Sequence, residues 1–291
     1  MNIVISQNEI FNIPYLLELK DNKINKKIFS KLVVDSLKLK IEDEIDYESD
    51  IIKGFTSFII YQKKRNATYE LKTNNFIFEF FDKSNNSGFL YKGEINFKPF
   101  YSNFTGVDEK IDLSSLFNSS GLFSGILKTA ILNNPNLNLK LSINADKIKN
   151  YIHFKNIFLN SKIEEGLIDL DNTKFTWKDS VHFKISNSLL YVRDNQLILD
   201  GKLDIIINNS AEIYKSLLAP KNYRVEIDKI DLNFNYNFDH RILSLSDIKI
   251  NNLISKKLDT VLNNLTFKSD KLQNKIYFRN ILNKALKAYV G

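Results

Sequence analysis

Cysteine is absent from the 291 residues. That excludes a disulfide framework, a thiolate metal site and a cysteine nucleophile. Glycine and proline are scarce, at 9 and 4 residues. So few glycines leave no Gly-rich phosphate loop and no dinucleotide fingerprint, and the apolar fraction of 43% is too high for a disordered chain. No run of 18 apolar residues occurs, so no helical membrane span is predicted. The opening, Met1-Asn2-Ile3-Val4-Ile5-Ser6, lacks the basic region and long apolar run of a signal peptide and reads as a strand. A chain that opens within a strand pattern is expected to be a piece of something longer.

Charge is the next constraint. The net charge is +7, with 26% charged residues. A basic balance suits nucleic acid or an anionic membrane. The lysines are read as spread along the strands rather than gathered into blocks, which describes a solvated strand face. The abundance of Asn, Ile and Lys is attributed to an AT-rich genome.

What is present is alternation. Leu137, Leu139, Leu141, Ile143 and Ala145 alternate with Asn138, Lys140, Ser142 and Asn144. Ile230, Leu232, Phe234, Tyr236 and Phe238 alternate with Asp231 and three asparagines. The same period of two runs through Leu37, Leu39 and Ile41, and through Phe76, Phe78 and Phe80. It recurs at Phe89, Tyr91, Ile95 and Phe97 with Gly93 between them, and at Leu197, Leu199, Leu203, Ile205 and Ile207 with Gly201 in the gap. Strands with one apolar and one polar face belong to antiparallel sheet, because parallel strands are buried on both sides. Residues 82–88, Glu164-Glu165-Gly166, Arg193-Asp194-Asn195 and Asp239-His240-Arg241 supply turns between these patterns, which predicts a meander.

Helices are few. A helical insertion is predicted near 113–132, followed by Pro135, and a short helix over 210–219 is stopped by Pro220. The stretch from Leu253 to Tyr289 reads as helix, break, helix, with Leu272, Ile276, Phe278, Ile281, Leu282, Ala285, Leu286 and Tyr289 as an apolar stripe. The expected organisation is a β-meander block over 1–111, a helical insertion over 112–134, a second β-meander over 135–251 and C-terminal helices over 252–291.

No catalytic constellation emerges. His153, His182 and His240 form no metal-ligand spacing, with His182 on the polar side of the strand Val181-Phe183-Ile185. Asp169 and Asp171 share a strand face and read as a solvated strand end. Aromatics beside lysine, as in Phe89-Leu90-Tyr91-Lys92, could stack bases. They lie on the same faces as Leu and Ile, which favours packing over nucleic acid. No enzyme, cofactor or metal is therefore expected.

Several segments resemble AsmA-like proteins of Gram-negative bacteria. They are Gly93-Glu94-Ile95-Asn96-Phe97-Lys98-Pro99-Phe100, the Leu113–Leu132 helix, Leu137-Asn138-Leu139-Lys140-Leu141, Gly166-Leu167-Ile168-Asp169-Leu170 and Asp200-Gly201-Lys202-Leu203-Asp204-Ile205. The segment Glu212 to Arg224 is similar to members from AT-rich alphaproteobacteria. The resemblance covers residues 90–251. It implies an elongated, taco-like antiparallel β-groove in the periplasm, anchored in the inner membrane, which supports outer-membrane homeostasis by carrying phospholipid.

Elementary energetics suits that role. Each acyl methylene moved from water to an apolar trough gains about 0.8 kcal/mol. Leu137, Leu139, Leu141, Ile143, Phe183, Ile185, Leu203, Ile205, Leu232, Phe234 and Tyr236 are the expected lipid-groove residues, some of which could instead touch capping helices. The expected partners are phospholipid acyl chains, a membrane surface through the basic C-terminal helix, and envelope proteins. The competing reading is a structural or assembly factor of the outer membrane, in which the same sheet is a closed core.

Overall fold

The computed structural model describes residues 2–10, 13–60, 63–82, 88–113, 127–128, 137–254, 256–263, 267–268 and 274–290. It is mainly β, and its long strands pair antiparallel, as the alternation predicts. Two compact units divide the chain, Met1–Glu109 and Lys110–Gly291.

The first unit is a meander of nine strands in sequence order. They are β1 (Asn2–Ile10), β2 (Ile13–Asn22), β3 (Lys27–Val34), β4 (Leu39–Asp46), β5 (Ile52–Ile60), β6 (Lys63–Leu71), β7 (Asn75–Asp82), β8 (Phe89–Phe97) and β9 (Phe100–Ile111). Each pairs antiparallel with the next. The predicted strand through Leu37 is corrected here. Asp35–Leu37 is a 3-10 turn ending on Lys38 in the left-handed region, φ 47°, and β4 starts at Leu39. That turn joins β3 to β4, so Leu37 belongs to the connection and not to the ladder. The turn signal at 82–88 lies largely outside the described residues.

Register decides what each face holds, because successive side chains alternate sides. Leu17 opposes Leu32, Leu32 opposes Ile41, and Ile41 opposes Phe58. Tyr69 opposes Phe78, and Phe76 opposes Ile95. One face of the first unit is therefore apolar from β2 to β8. The opposite face holds charged rows, with Lys27 bound to Glu44 at 2.6 Å and Lys92 to Glu79 at 2.6 Å across strands. Such exposed pairs contribute at most about 1 kcal/mol each, so they define the face more than they hold it.

The second unit continues the meander principle with β10 (Leu139–Ile148), β11 (Tyr151–Glu164), β12 (Leu167–Asp169), β13 (Lys174–Trp177), β14 (Val181–Arg193), β15 (Gln196–Ile207), β16 (Lys229–Asn237) and β17 (Ile242–Ile250). Short strands β18 (Leu253–Ile254) and β19 (Phe267–Lys268) both pair with β17. Three predicted turns are in place. Asp194 and Asn195 are both left-handed, at φ 51° and 59°, and close the β14–β15 hairpin, in keeping with the tight primed turns that such residues favour. Glu165 and Gly166 do the same after β11, and Arg241 before β17.

Three of the irregularities in the long strands are bulges at a left-handed residue. Asn156, Asn187 and Asp247 sit at the register shifts of β11, β14 and β17, with φ of 50°, 48° and 52°. Asn and Asp tolerate this region better than other residues bearing a Cβ. A bulge adds one residue and so resets the parity of alternation. On β14 the apolar face runs Val181, Phe183, Ile185 before the bulge, then Ser188, Leu190, Val192 after it.

Among the described residues, α-helices accompany only the second unit. They are α1 (Ser210–Leu217), α2 (Lys256–Asn263) and α3 (Lys275–Val290). The Asn209 side chain caps α1 by accepting from the Glu212 N–H at 3.1 Å. Leu218 ends α1 in the left-handed region, φ 54°, one residue before Ala219-Pro220. The insertion predicted over 112–134 lies outside the described residues except at Asp112, Leu113, Leu127 and Lys128. Of these, Leu127 is buried, and Lys128 forms an ion pair with Asp239.

Candidate apolar ligand surface

In the second unit the sequence-predicted residues fall on one face. Phe183 opposes Ile205, and Ile185 opposes Leu203. Leu203 opposes Leu232, Phe234 lies against Gly201, and Tyr236 opposes Leu199. On β10, Leu139, Leu141 and Ile143 oppose Ile163, Ser161 and Leu159. Pairing through β11 and β13 puts this row on the same side as Phe175, which stacks on Phe183 at 4.7 Å. Leu137 precedes β10 and is half-buried.

Most of that face is covered. Val181, Ile207, Tyr214, Leu232, Ile248, Ile250, Leu258, Leu262 and Leu286 form one buried cluster contributed by sheet and helices together. Phe183, Leu203, Ile205 and Phe234 pack against it, and so do Ile281, Leu282, Ala285 and Tyr289 of α3. Five of the eleven candidates, Phe183, Leu203, Ile205, Leu232 and Phe234, thus meet a helix-bearing core. Ile143 is also buried, while Leu139, Leu141, Ile185 and Tyr236 are half-buried. Tyr214 is fixed under α1 by donating to the Val225 carbonyl at 2.6 Å.

The first unit differs. Leu17, Leu19, Ile28, Leu32, Ile41, Ile45, Phe58, Phe76, Phe78, Phe80, Tyr91 and Ile95 share its apolar face, and every one is half-buried. Among the described residues this unit has no α-helix, so nothing helical within it covers that face. Aromatic rings run along the face in contact. Tyr69, Phe76, Phe78 and Phe104 follow one another at centroid spacings of 5.4, 5.7 and 5.6 Å. Phe58, Phe80, Phe89 and Tyr91 follow at 5.6, 5.1 and 5.5 Å. The alternation at 76–80 and 89–97 signalled this surface, although the expected groove residues were all placed in the second unit.

Three strand glycines shape these faces. A Cβ on Gly54 would lie 2.0 Å from the Tyr69 ring, and one on Gly93 would lie 2.2 Å from Phe78. A Cβ on Gly201 would meet Phe234 at 3.1 Å. Each glycine is paired in register with the aromatic that occupies its place. Strand glycines of this kind mark close approach by a neighbouring group, and here the neighbour is a ring laid across the backbone.

Polar groups on the apolar face are satisfied by one another. Asp43 accepts from Thr56 at 2.7 Å and from Tyr69 at 2.8 Å, Asp108 accepts from Tyr91 at 3.1 Å, and Asp21 accepts from Tyr47 at 3.0 Å. Burial pushes the Tyr69 and Tyr91 phenols above the ordinary tyrosine range, and the adjacent carboxylates add to the shift. These are neutral phenols held to carboxylates, with no nucleophile or base freed for chemistry. A cavity of about 340 Å³ in this unit is lined by Glu18, Lys20, Phe29, Glu42, Glu44 and Phe55 among others, and so opens on the charged face.

The remaining polar candidates have structural partners. Asp171 is no solvated strand end: it is half-buried and accepts from both the N–H and the hydroxyl of Ser188 at 2.7 Å. It ties the residues after β12 to the bulge of β14. Burial pushes the Asp169 carboxyl up, against the Asp171 N–H that it accepts at 3.2 Å. His182 is exposed beside Asn208 at 2.9 Å, and His153 is exposed near Trp177. Among the described residues no cluster of three His, Asp or Glu side chains is placed to hold a metal, and no helix is long and apolar enough to cross a membrane.

No protein-family model, no curated protein and no solved structure matches this chain.

Proposed function

We propose that the protein is a non-enzymatic component of a Gram-negative cell envelope that carries phospholipid acyl chains along an apolar β-surface. The observation that carries this reading is the half-buried apolar face of the first unit, continuous in register from β2 to β8. Its side chains are hydrocarbon and ring, and its few polar groups are already paired. Such a surface gains about 25 cal/mol for each Å² of apolar area removed from water, whatever covers it. Hydrocarbon chains supply that cover without chemistry. In this reading the sheet is curled into a groove, and the protein works in the periplasm, held at the inner membrane, in support of the outer membrane. The AsmA-like resemblance of residues 90–251 supports the same reading.

The test is native mass spectrometry of the protein released by gentle extraction. Co-purifying phospholipid that is lost on Phe78→Asp is the expected result. Protein free of lipid under those conditions overturns the reading.

A second reading draws on a different observation. The helices α1–α3 close the apolar face over β13 to β17, as in a structural or assembly factor acting through protein contacts. Charge substitution separates the two readings. A carrier bearing Ile41→Asp stays folded and loses lipid, whereas an assembly factor that works through its helix-closed second unit keeps its protein contacts under the same substitution.

A further inference from the structure

The net charge of the chain is not spread evenly. Residues 253–291 carry eight Lys and Arg against two Asp, a net +6 of the chain's +7. The lysines themselves are spread along the strands, but there 32 acids nearly cancel 33 Lys and Arg, and the surplus gathers in the C-terminal cap. There α3 contains Lys275, Arg279, Lys284 and Lys287 and no acidic residue. Lys256, Lys257, Lys268, Lys284 and Lys287 are exposed.

The same cap exposes hydrocarbon. Leu253 and Ile254 of β18 are 66% and 64% exposed, and Ile276 and Phe278 of α3 are 67% and 40% exposed. Elsewhere α3 spends its apolar residues on the core, where Ile281, Leu282, Ala285, Leu286 and Tyr289 all pack. Ile276 stands outside that set. It lies eleven residues, about three helical turns, before Lys287, and so shares a stripe with it on the outer side of the helix. Cations beside exposed large apolar side chains are the composition of a helix that rests at a lipid interface. A nucleic-acid backbone would use the cations and leave Ile276 in water.

We infer that the C-terminal cap, β18 with α2 and α3, docks the protein on an anionic membrane surface. The cations meet the lipid phosphates, and Ile276, flanked on the outer side of α3 by Arg279, Lys284 and Lys287, enters the boundary between headgroups and acyl chains. This stands on charge and exposure and does not depend on lipid carriage by the first unit. A protein that docks without carrying lipid, or carries without docking, fails one reading and not the other.

The experiment is co-sedimentation of the full chain with vesicles of phosphatidylcholine alone and of an equal mixture with phosphatidylglycerol. Binding to the mixed vesicles only, weakening as salt rises, is expected. Lys284→Gln with Lys287→Gln lowers the affinity about thirtyfold, from about 1 kcal/mol for each lysine at the surface. Lys23→Gln with Lys26→Gln, in the β2–β3 turn, leaves it unchanged. Ile276→Asp, at a 67% exposed position that the fold does not need, also weakens binding at least tenfold. Equal binding to both vesicle types, no binding to either, or the same loss in the β2–β3 pair overturns the inference. So does oligonucleotide binding that the lysine pair abolishes and Ile276→Asp leaves intact, which would reassign the patch to nucleic acid. Circular dichroism of each variant checks that α3 is retained.

Discussion

The two units are built from one kind of strand and finish it differently. Both are antiparallel meanders with a hydrocarbon face and a charged face. In the second unit, α1–α3 complete the hydrocarbon face and bring Ile248 and Leu258 to 2% exposure. In the first unit most of the corresponding side chains stay half-buried from strand to strand, with Val34 and Ala67 as buried exceptions. Alternation therefore specifies the sheet, and the covering of the sheet is a separate decision that the strands do not encode. A helix-covered face is a core, stabilised by close packing. A face with no helix of its own is a surface whose exposed area persists until something else covers it.

The largest effect expected of that difference is on charge tolerance. Ile248→Asp should cost about 4–5 kcal/mol and unfold the second unit, because a carboxylate would be left unpaired among packed apolar groups. Ile41→Asp in the first unit should cost only about 1–2 kcal/mol, since the half-buried site leaves the carboxylate a route to water. Denaturant titrations that gave equal costs would erase the distinction. Next in size, Leu286→Ala should cost about 2–4 kcal/mol by opening a cavity between α3 and the sheet, and hydrogen exchange should quicken over β16 and β17 but not over β3 to β8.

Gly54→Ala comes third, at about 1–3 kcal/mol, because the new methyl would displace the Tyr69 ring. Thermal melting would read it, and Tyr69→Ala in the same chain should restore part of the loss.

The smallest expected effects are on pH dependence, and they have opposite signs in the two units. Burial acts to raise the Asp239 carboxyl, but hydrogen bonds from Lys128 and the Leu197 N–H outweigh it and hold the group below its ordinary value of 3.8. Its contribution is present above that value and fades as pH falls through the lower folded-state value. Tyr69 is raised above its ordinary value of 10.0, so its contribution is present below pH 10 and is lost as pH rises beyond it. Asp239→Asn should flatten the acid limb of a stability profile, and Tyr69→Phe the alkaline limb. A profile unmoved by either would remove the two groups from the account.

Much of the fold was legible because period-two alternation has no helical competitor. Leu197 to Ile207 and Ile230 to Phe238 read directly as β15 and β16. The bulges were not legible. Asn187 looks like any asparagine until the register shows Leu190 on the same side as Ile185. The predicted strand through Leu37 failed for a local reason, since a left-handed Lys38 ends the turn before the ladder begins. The candidate surface was half legible. The Phe76 and Phe89 runs were seen as strands, but whether a helix closes over them depends on contacts distant in sequence. Phe183 and Phe234 looked no different from Phe78 in the chain, yet they meet α3-bearing core. The basic C-terminal helix was legible in the chain, whereas its holding nearly the whole net charge emerges only when charge is counted by segment.

The rings laid over Gly54 and Gly93 have a consequence for anything that rests on the first unit. They occupy the places where a side chain is missing. A flexible hydrocarbon on such a floor would meet rings at these points, with no notch there in which to lodge. Lengthwise creep would then cost little at each step, and position would be set by the ends of the path.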